Sequence, residues 1–264
     1  MSFSLNDKRP IGIFDSGLGG LTVLKCLLEN LPNEEYIYLG DLANLPYGNK
    51  STKSIIDYSI KCIEFLQSKN VKCIIVACNT ASSVALKSIK ELSSVPVFDV
   101  INPCVDNIVR TDNKKVAIIG TEKTIESDVY SALIKKHKKN IKIYTQACPL
   151  FVPIVEEGLG GSKIAKLAIE YYLSNIRAHN IDQLVLGCTH YPVIIKELQK
   201  YFNDKIDILH SGPFISEQLL KYFKQKSKRE KAPIYYVTDL PDRFQTLGNR
   251  FFNQKINSVT LVNI

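Results

Sequence analysis

The sequence predicts an α/β protein made of two similar doubly wound domains, each with a parallel sheet wrapped by helices. Strand-like and helix-like runs alternate along the 264 residues, which is typical of a parallel sheet covered by helices. The alternation restarts near residue 115. Two apolar segments, 74–80 and 184–190, each end in a cysteine followed by small polar residues. We therefore expect two similar half-domains that face one site.

The first half alternates short apolar strands with amphipathic helices. Predicted strands lie at 11–14, 36–39, 73–77 and 95–98. The spacing predicts helices at 21–28 and 81–92, and a long helix capped by Ser51. On that long helix Ile56, Ile60 and Ile63 fall on one face. Each strand ends near a turn or polar segment, which is where parallel sheets place their ligands.

The second half repeats this order. Predicted strands lie at 115–119, 141–144 and 184–186, with helices at 162–177 and 191–202 and further strands at 208, 235–237 and 259–262. On the helix at 162–177, Ile164, Leu167 and Tyr171 share a face. Asn102-Pro103 is a plausible crossing point between the halves. We expect residues 1–101 plus 208–264 to form the first domain and residues 102–207 the second.

Composition narrows the class of protein. The chain is 45% hydrophobic and 23% charged, as is ordinary for a soluble globular protein. No apolar run approaches the roughly 20 residues of a membrane span, and the polar start lacks the apolar core of a signal peptide. We expect a cytoplasmic protein with no membrane partner.

The cysteines and histidines argue against a metal site. The chain has seven cysteines without a CxxC pair, and only four histidines, whereas structural metal sites need closely spaced ligands. Cys26 and Cys62 are interpreted as packing residues.

The net charge of +8 is concentrated in two lysine clusters, at 135–139 and 221–231. Such clusters either bind nucleic acid or form a solvated helix end or loop. Neither cluster has interleaved aromatic residues that resemble a stacking platform, although Tyr222 and Phe223 lie near the second. We favour the solvated interpretation and do not expect nucleic acid as a partner.

A glycine-rich turn, Asp15-Ser16-Gly17-Leu18-Gly19-Gly20, follows the first predicted strand. Such turns often hold phosphate. Here Thr22 occupies a position that needs a small residue in dinucleotide-binding turns, so the phosphate interpretation is weak. Two alternatives stay open. The turn could offer backbone N–H groups to a carboxylate while presenting Asp15 and Ser16, or it could be purely structural.

Three further segments follow predicted strands. Pro46-Tyr47-Gly48 is a turn by composition. Cys78-Asn79-Thr80 and Cys188-Thr189-His190 lie 110 residues apart (78 to 188). Either cysteine could be a core thiol, but the polar residues after each one need buried partners, which favours a site. Two thiols on opposite faces of a substrate could remove and add a proton, as racemisation requires. His190 could cap the next helix or stabilise a Cys188 thiolate.

These residues give the chain a resemblance to the aspartate/glutamate racemase family, and within it to glutamate racemases. The resemblance covers nearly the whole length, and it implies two α/β domains related by pseudo-twofold symmetry with the site in the cleft between them. It is carried by the order and spacing of the segments 14–23, 47–48, 77–82, 120–121, 149–153, 156–158 and 187–192.

The resemblance implies interconversion of L- and D-glutamate without a cofactor, supplying D-glutamate for peptidoglycan. It implies Cys78 and Cys188 as acid/base residues, the first acting on D-glutamate and the second on L-glutamate, assisted by Asp15 and His190. Members are often homodimers. One of Glu156 and Glu157 is implied near the site. The implied substrate contacts are Asp15, Ser16, Tyr47, Gly48, Asn79, Thr80, Thr189 and His190.

The chain departs from the family pattern at Leu42 and Asn44, where Thr and Arg are usual, and at His210, where Asp is frequent. These positions affect the rim of the pocket and substrate breadth. Three competing interpretations stay open. The first is a sibling racemase for aspartate or a hydantoin. The second is a Cys–His hydrolase or amidase, although two-residue spacing is awkward for a Cys188–His190 dyad. The third is a non-catalytic binding role suggested by the positive charge.

Overall fold

The computed structural model describes residues 7–223, 232–252 and 255–264. Its strands are β1 (Ile11–Asp15), β2 (Tyr36–Gly40), β3 (Cys73–Val76), β4 (Val97–Asp99), β5 (Lys115–Gly120), β6 (Lys142–Ala147), β7 (Gln183–Gly187), β8 (Asp207–His210), β9 (Ile234–Val237) and β10 (Thr260–Leu261). Its helices are α1 (Leu21–Asn30), α2 (Thr52–Ser68), α3 (Asn79–Val84), α4 (Leu86–Leu92), α5 (Ile101–Arg110), α6 (Glu122–Glu126), α7 (Val129–His137), α8 (Phe151–Glu156), α9 (Lys163–Ala178), α10 (Ile195–Tyr201), α11 (Ser211–Leu220) and α12 (Pro241–Phe252).

The strands form two parallel sheets. The first has the order β10-β9-β2-β1-β3-β4 and the second the order β6-β5-β7-β8. The order β2-β1-β3-β4 in the first sheet is repeated as β6-β5-β7-β8 in the second. The predicted pair of similar doubly wound sheets is therefore confirmed. In each sheet the winding reverses direction beside the strand that precedes a cysteine, and ligands of open parallel sheets bind at such a reversal.

The prediction for the boundary at residue 208 was wrong about one strand. β8 pairs with β7 in the second sheet, with Leu184 opposite Ile208, so this sheet continues to His210. Backbone hydrogen bonds with β7 determine the sheet to which β8 belongs, and the position of β8 in the sequence does not. The helix that follows, α11, packs against α1 and α5. The predicted crossing point, Asn102-Pro103, lies in the first turn of α5, where proline is tolerated.

Caps and breaks follow from local sequence. Ser51 accepts a hydrogen bond from the Ser54 N–H at the start of α2, as predicted. The helix predicted at 81–92 is two helices, α3 and α4, which meet at Ala85. The helix predicted at 191–202 begins as a 3₁₀ turn, Tyr191–Ile194, before α10.

On α9 and α2, the residues predicted to share a face are not the main packing residues, although Ile63 on α2 is buried. On α9, Ile164, Leu167 and Tyr171 are 54%, 61% and 77% exposed. The face that packs on the protein instead consists of Ala165, Ala168, Ile169, Leu173 and Ile176. On α2 the buried set is Ile55, Ser59, Cys62, Ile63 and Leu66, while Ile56 and Ile60 are half-buried. Small side chains such as alanine allow a helix to approach its sheet closely, so the packing face need not be the most apolar one.

The remaining predictions concern two cysteines and the two lysine clusters. Cys62 is buried, as predicted, whereas Cys26 is half-buried. The lysines at 135–139 end α7 on a mainly exposed face, which matches the solvated interpretation and suits a helix C-terminus. Most of the second cluster, residues 224–231, lies outside the described residues. No helix within the described ranges has the length and apolar character needed to cross a bilayer.

Candidate active site

A small cavity, partly open to solvent, lies between the C-terminal ends of the two sheets. Its lining comprises Ser16, Leu45, Pro46, Tyr47, Gly48, Cys78, Asn79, Thr80, Thr121, Val152, Cys188, Thr189 and His190. The structure thus brings every sequence-predicted site residue except Asp15 to one cavity. Asp15 ends β1 and is fully buried next to it.

Cys78 follows β3 and forms one wall of the cavity. Its sulfur accepts a hydrogen bond from the Ala81 N–H at 3.5 Å, at the start of α3, and its thiol donates to Ser16 Oγ at 3.4 Å. Burial, reinforced by the negative charge of Asp15, raises the pKa of Cys78 to about 12. Cys78 therefore carries its proton at neutral pH.

Cys188 follows β7 and forms the facing wall together with His190. Its sulfur lies 3.9 Å from His190 Nδ1, and His190 Nε2 lies 3.1 Å from Glu156 Oε1. Burial opposes the charged imidazolium, but hydrogen bonds with Cys188 and Glu156 outweigh it and raise the pKa of His190 to about 10. His190 is therefore a buried cation at neutral pH, and a cation beside a cysteine favours its thiolate.

The spacing of Cys188 and His190 was interpreted as awkward for a dyad, and this was wrong. The chain turns at once into the 3₁₀ segment Tyr191–Ile194, which brings the imidazole back beside the thiol. The structure also resolves a choice left open by the sequence. Glu156 contacts His190, whereas Glu157 is 64% exposed and pairs with Arg243 at 3.2 Å.

Asp15 connects the two halves of the site. Its Oδ1 accepts a hydrogen bond from the Gly17 N–H at 2.9 Å, and its Oδ2 accepts one from the Thr189 hydroxyl at 3.3 Å. Burial raises the pKa of Asp15, and the charge of His190 opposes that rise. Asp15 was predicted to lie beside Cys78. It acts on the Cys78 thiol through its charge, while it accepts hydrogen bonds from Gly17 and Thr189.

The glycine-rich turn is explained by close packing between the two halves. A Cβ added to Gly19 would overlap Thr189 Oγ1 and lie 2.5 Å from His190 Nδ1, and one added to Gly20 would lie 2.6 Å from Asp15 Cβ. Neither glycine has a positive φ. The absence of side chains, rather than an unusual backbone conformation, is what the site requires here.

Tyr47 lines the cavity with its ring and backbone, because its hydroxyl group is already hydrogen-bonded elsewhere. The hydroxyl donates to Asp41 Oδ2 at 2.6 Å. Asp41 also accepts hydrogen bonds from Thr238 at 2.8 Å and Asn44 at 3.0 Å. Asn44, a departure from the family pattern, thus helps to fix the support of Tyr47. Asp41 and Thr238 were missed; only the position of Asp41 directly after a strand could have indicated it.

A ladder of hydroxyl groups closes one side of the cavity. Thr80 Oγ1 lies 2.9 Å from Thr121 Oγ1, which lies 2.9 Å from Thr124 Oγ1. A Cβ on Gly48 would lie 2.8 Å from Thr121 Cβ, so the rim loop passes directly against the second half of the chain. Thr121 and Val152 lie in segments that carry the family resemblance, whereas Thr124 carried no signal in the sequence.

Groups of three or more His, Cys, Asp or Glu suited to a metal ion do not occur among the described residues. The cavity itself is lined by thiol, imidazole, hydroxyl and amide groups, and the carboxyl groups of Asp15 and Glu156 lie next to it. This lining suits a small polar molecule.

Comparisons of this chain with known proteins agree with this arrangement. The profile described as Asp/Glu/Hydantoin racemase matches residues 11–216. A glutamate racemase of Geobacter metallireducens is 38% identical over 262 residues, which cover 97% of each chain. One from Sulfurihydrogenibium is 43% identical over 91% of this chain and 92% of its own.

Solved structures show the same relationship. Glutamate racemase from Francisella tularensis, crystallised with D-glutamate, superposes with a TM-score of 0.90 at 37% identity and covers 97% of this chain and 98% of its own. The aspartate racemase of Picrophilus torridus, at 21% identity and a TM-score of 0.61 over 81% of this chain and 93% of its own, shares the fold.

The chain belongs to the Asp/Glu/hydantoin racemase family. It is an isomerase, and the relatives that match nearly its whole length are glutamate racemases.

Proposed function

We propose that the protein interconverts L-glutamate and D-glutamate through two cysteines and without a cofactor. The observation that carries this proposal is the pair of thiols that line one cavity from different sheets, Cys78 after β3 and Cys188 after β7. A single-base or single-nucleophile enzyme does not need the second thiol.

In the direction from L- to D-glutamate, the Cys188 thiolate removes the α-proton and becomes a thiol. The Cys78 thiol then donates its proton to the opposite face of the α-carbon and becomes a thiolate. The reverse direction exchanges these roles. His190 stabilises the Cys188 thiolate, whereas burial and Asp15 keep Cys78 protonated. After each turnover of L-glutamate, a proton must leave Cys188 and one must return to Cys78 before the next.

The carbanion formed between these steps has no cofactor to accept its charge. Hydrogen-bond donors around the α-carboxylate must hold that charge. The cavity offers the hydroxyls of Ser16, Thr80 and Thr189 and the amide of Asn79. Glutamate carries two carboxylates, and these donors supply the contacts that each carboxylate requires.

We propose glutamate rather than aspartate or a hydantoin as the substrate. The full-length relatives at 36–43% identity are glutamate racemases. The aspartate racemase and its homologue among the solved structures are 21% and 18% identical, which relates them in fold. The Cys188–His190–Glu156 arrangement has the order of a hydrolase triad, but that role leaves the facing Cys78 unused.

We further propose that the product D-glutamate serves peptidoglycan synthesis and that the protein acts in the cytoplasm. Homodimerisation and the absence of a nucleic-acid partner stay predictions. The resemblance of the sequence to glutamate racemases supports the role in peptidoglycan synthesis and the cytoplasmic location. The solvated position of the lysines that end α7 supports the absence of a nucleic-acid partner.

The experiment is circular dichroism of the purified, reduced protein with L-glutamate and with D-glutamate, without added cofactor. Loss of signal toward zero from both enantiomers supports the proposal. In deuterium oxide, two-base chemistry places deuterium in the product enantiomer while recovered substrate keeps its α-hydrogen early in the reaction. No change of signal with folded protein contradicts the proposal and directs attention to aspartate and hydantoins.

A further inference from the structure

We propose that Tyr130 is a positioning residue for substrate binding. Its hydroxyl fixes the side-chain amide of Asn79 so that the amide NH₂ group is presented to a carboxylate of the substrate. The inference rests on the proposed function, because it takes the ligand of the cavity to be an amino acid carboxylate.

The geometry of Asn79 motivates the proposal. Asn79 directly follows Cys78, lines the cavity and is 2% exposed. Its Oδ1 accepts a hydrogen bond from the Tyr130 hydroxyl at 2.7 Å. Its buried Nδ2 has no hydrogen-bond partner among the residues that the structure describes. A buried amide donor without a partner is costly, so a ligand in this cavity is the natural acceptor.

The physical role of Tyr130 follows from the shape of an amide. The oxygen and nitrogen ends are nearly the same size, so packing alone does not select between the two orientations. A carboxylate only accepts hydrogen bonds. If Oδ1 faced it, two acceptors would repel each other inside a buried site. By donating to Oδ1, Tyr130 leaves the NH₂ end available to the substrate.

Tyr130 also connects the two cysteine segments. It lies in α7, beside the second sheet, whereas Asn79 begins α3, beside the first. A Cβ on Gly187, the residue before Cys188, would lie 3.4 Å from the Tyr130 ring. Ser211 Oγ is buried close to the same phenol and is available to donate to its oxygen. The amide is therefore oriented only when both halves of the site are together.

The test is Tyr130→Phe, with Tyr36→Phe as the matched control. Tyr36 is also buried and donates its hydroxyl to backbone carbonyls of Leu27 and Leu31, at the other end of the first sheet. We expect Tyr130→Phe to raise KM for both enantiomers about tenfold, the effect of one hydrogen bond, with a much smaller change in kcat. Tyr36→Phe should leave both parameters unchanged at a similar loss of thermal stability.

A double-mutant cycle separates positioning from general support of the fold. In the Asn79→Ala background, Tyr130→Phe should have no further effect on KM, because Tyr130 acts through the amide. A wild-type KM in Tyr130→Phe, or effects that simply multiply in the double variant, overturns the proposal.

Failure of the proposed function gives a different result, namely a wild-type protein that does not racemise glutamate. The amide can then be followed by NMR with isotope-labelled asparagine, its signals assigned by their loss in Asn79→Ala. Tyr130→Phe should shift or broaden the Asn79 NH₂ signals, and unchanged signals overturn the proposal.

Discussion

The two cysteines differ in what surrounds their sulfur atoms. Cys78 is held by a serine hydroxyl and one backbone N–H, next to a buried carboxyl group. Cys188 is next to an imidazole whose other nitrogen is bound to Glu156. The two thiols therefore lie in opposite electrostatic surroundings, one beside a carboxyl group and one beside an imidazole, although both follow equivalent strands of similar sheets.

Serine cannot replace either cysteine, because its hydroxyl is far less acidic than a thiol. We expect Cys78→Ser and Cys188→Ser each to lower racemisation about 100-fold or more, as removal of an acid or base does. Cys26→Ser is the control, since Cys26 is half-buried outside the cavity and its loss should leave the rate unchanged. The measurement is the initial rate with each enantiomer. A cavity variant that keeps more than about a tenth of the rate contradicts two-base chemistry.

Glu156 sets the alkaline limit of activity through His190. The pKa of His190 is raised from 6.5 to about 10, so the stability that its charge contributes is complete below about pH 6.5 and lost as the pH rises through about 10. Glu156→Gln removes one partner that raises this pKa. We expect the alkaline limb of kcat/KM to move about one pH unit lower. Glu157→Gln, at the exposed neighbour, should leave the profile unchanged, and equal profiles for both variants would refute this role.

Among the turns and helices, the glycine-rich turn has the strictest requirement for a particular residue, because a side chain at Gly19 has no room. Gly19→Ala places a methyl group against Thr189 and His190, so we expect the turn to move away from Cys188 and kcat/KM to fall about tenfold or more. Gly161→Ala is the control, because its Cβ would meet only Glu197 Oε1 at an ordinary 3.8 Å. Steady-state kinetics with both enantiomers measures the effect. A Gly19→Ala enzyme with wild-type kcat/KM would show that the close approach is not required.

The sequence was most informative where pattern and position agree. Short β-branched runs predicted the central strands, and polar residues after Val76 and Gly187 predicted the site at their ends. It was least informative about which helix face packs. On α9 the exposed Ile164, Leu167 and Tyr171 are more apolar than the alanines that contact the protein. Asp41 and Tyr130 were not singled out by their local sequence, since their roles arise from contacts between distant segments.

The two halves of the molecule are held around the cavity by a few hydrogen bonds. Thr22 Oγ1, in α1, lies 2.9 Å from the carbonyl oxygen of Thr189. Thr189 in turn donates to Asp15, and Thr80 meets Thr121 on the other side. Eight of the thirteen lining residues are buried, and both halves contribute to the lining, so a glutamate bound there contacts both halves. Binding and closure are therefore coupled, and weakening a connection should weaken binding.

Thr22→Val tests this coupling, because valine keeps the shape of threonine and removes the hydroxyl donor. We expect KM to rise about two- to tenfold for both enantiomers, the range for one hydrogen bond, and the rise in Tm with saturating D-glutamate to become smaller. Thr111→Val is the matched control. Its hydroxyl donates to the carbonyl of Ile108 at the end of α5, away from the cavity, so its loss should lower Tm equally with and without ligand. If Thr22→Val behaves as this control does, the bond between α1 and Thr189 stabilises the fold without assisting closure around the substrate.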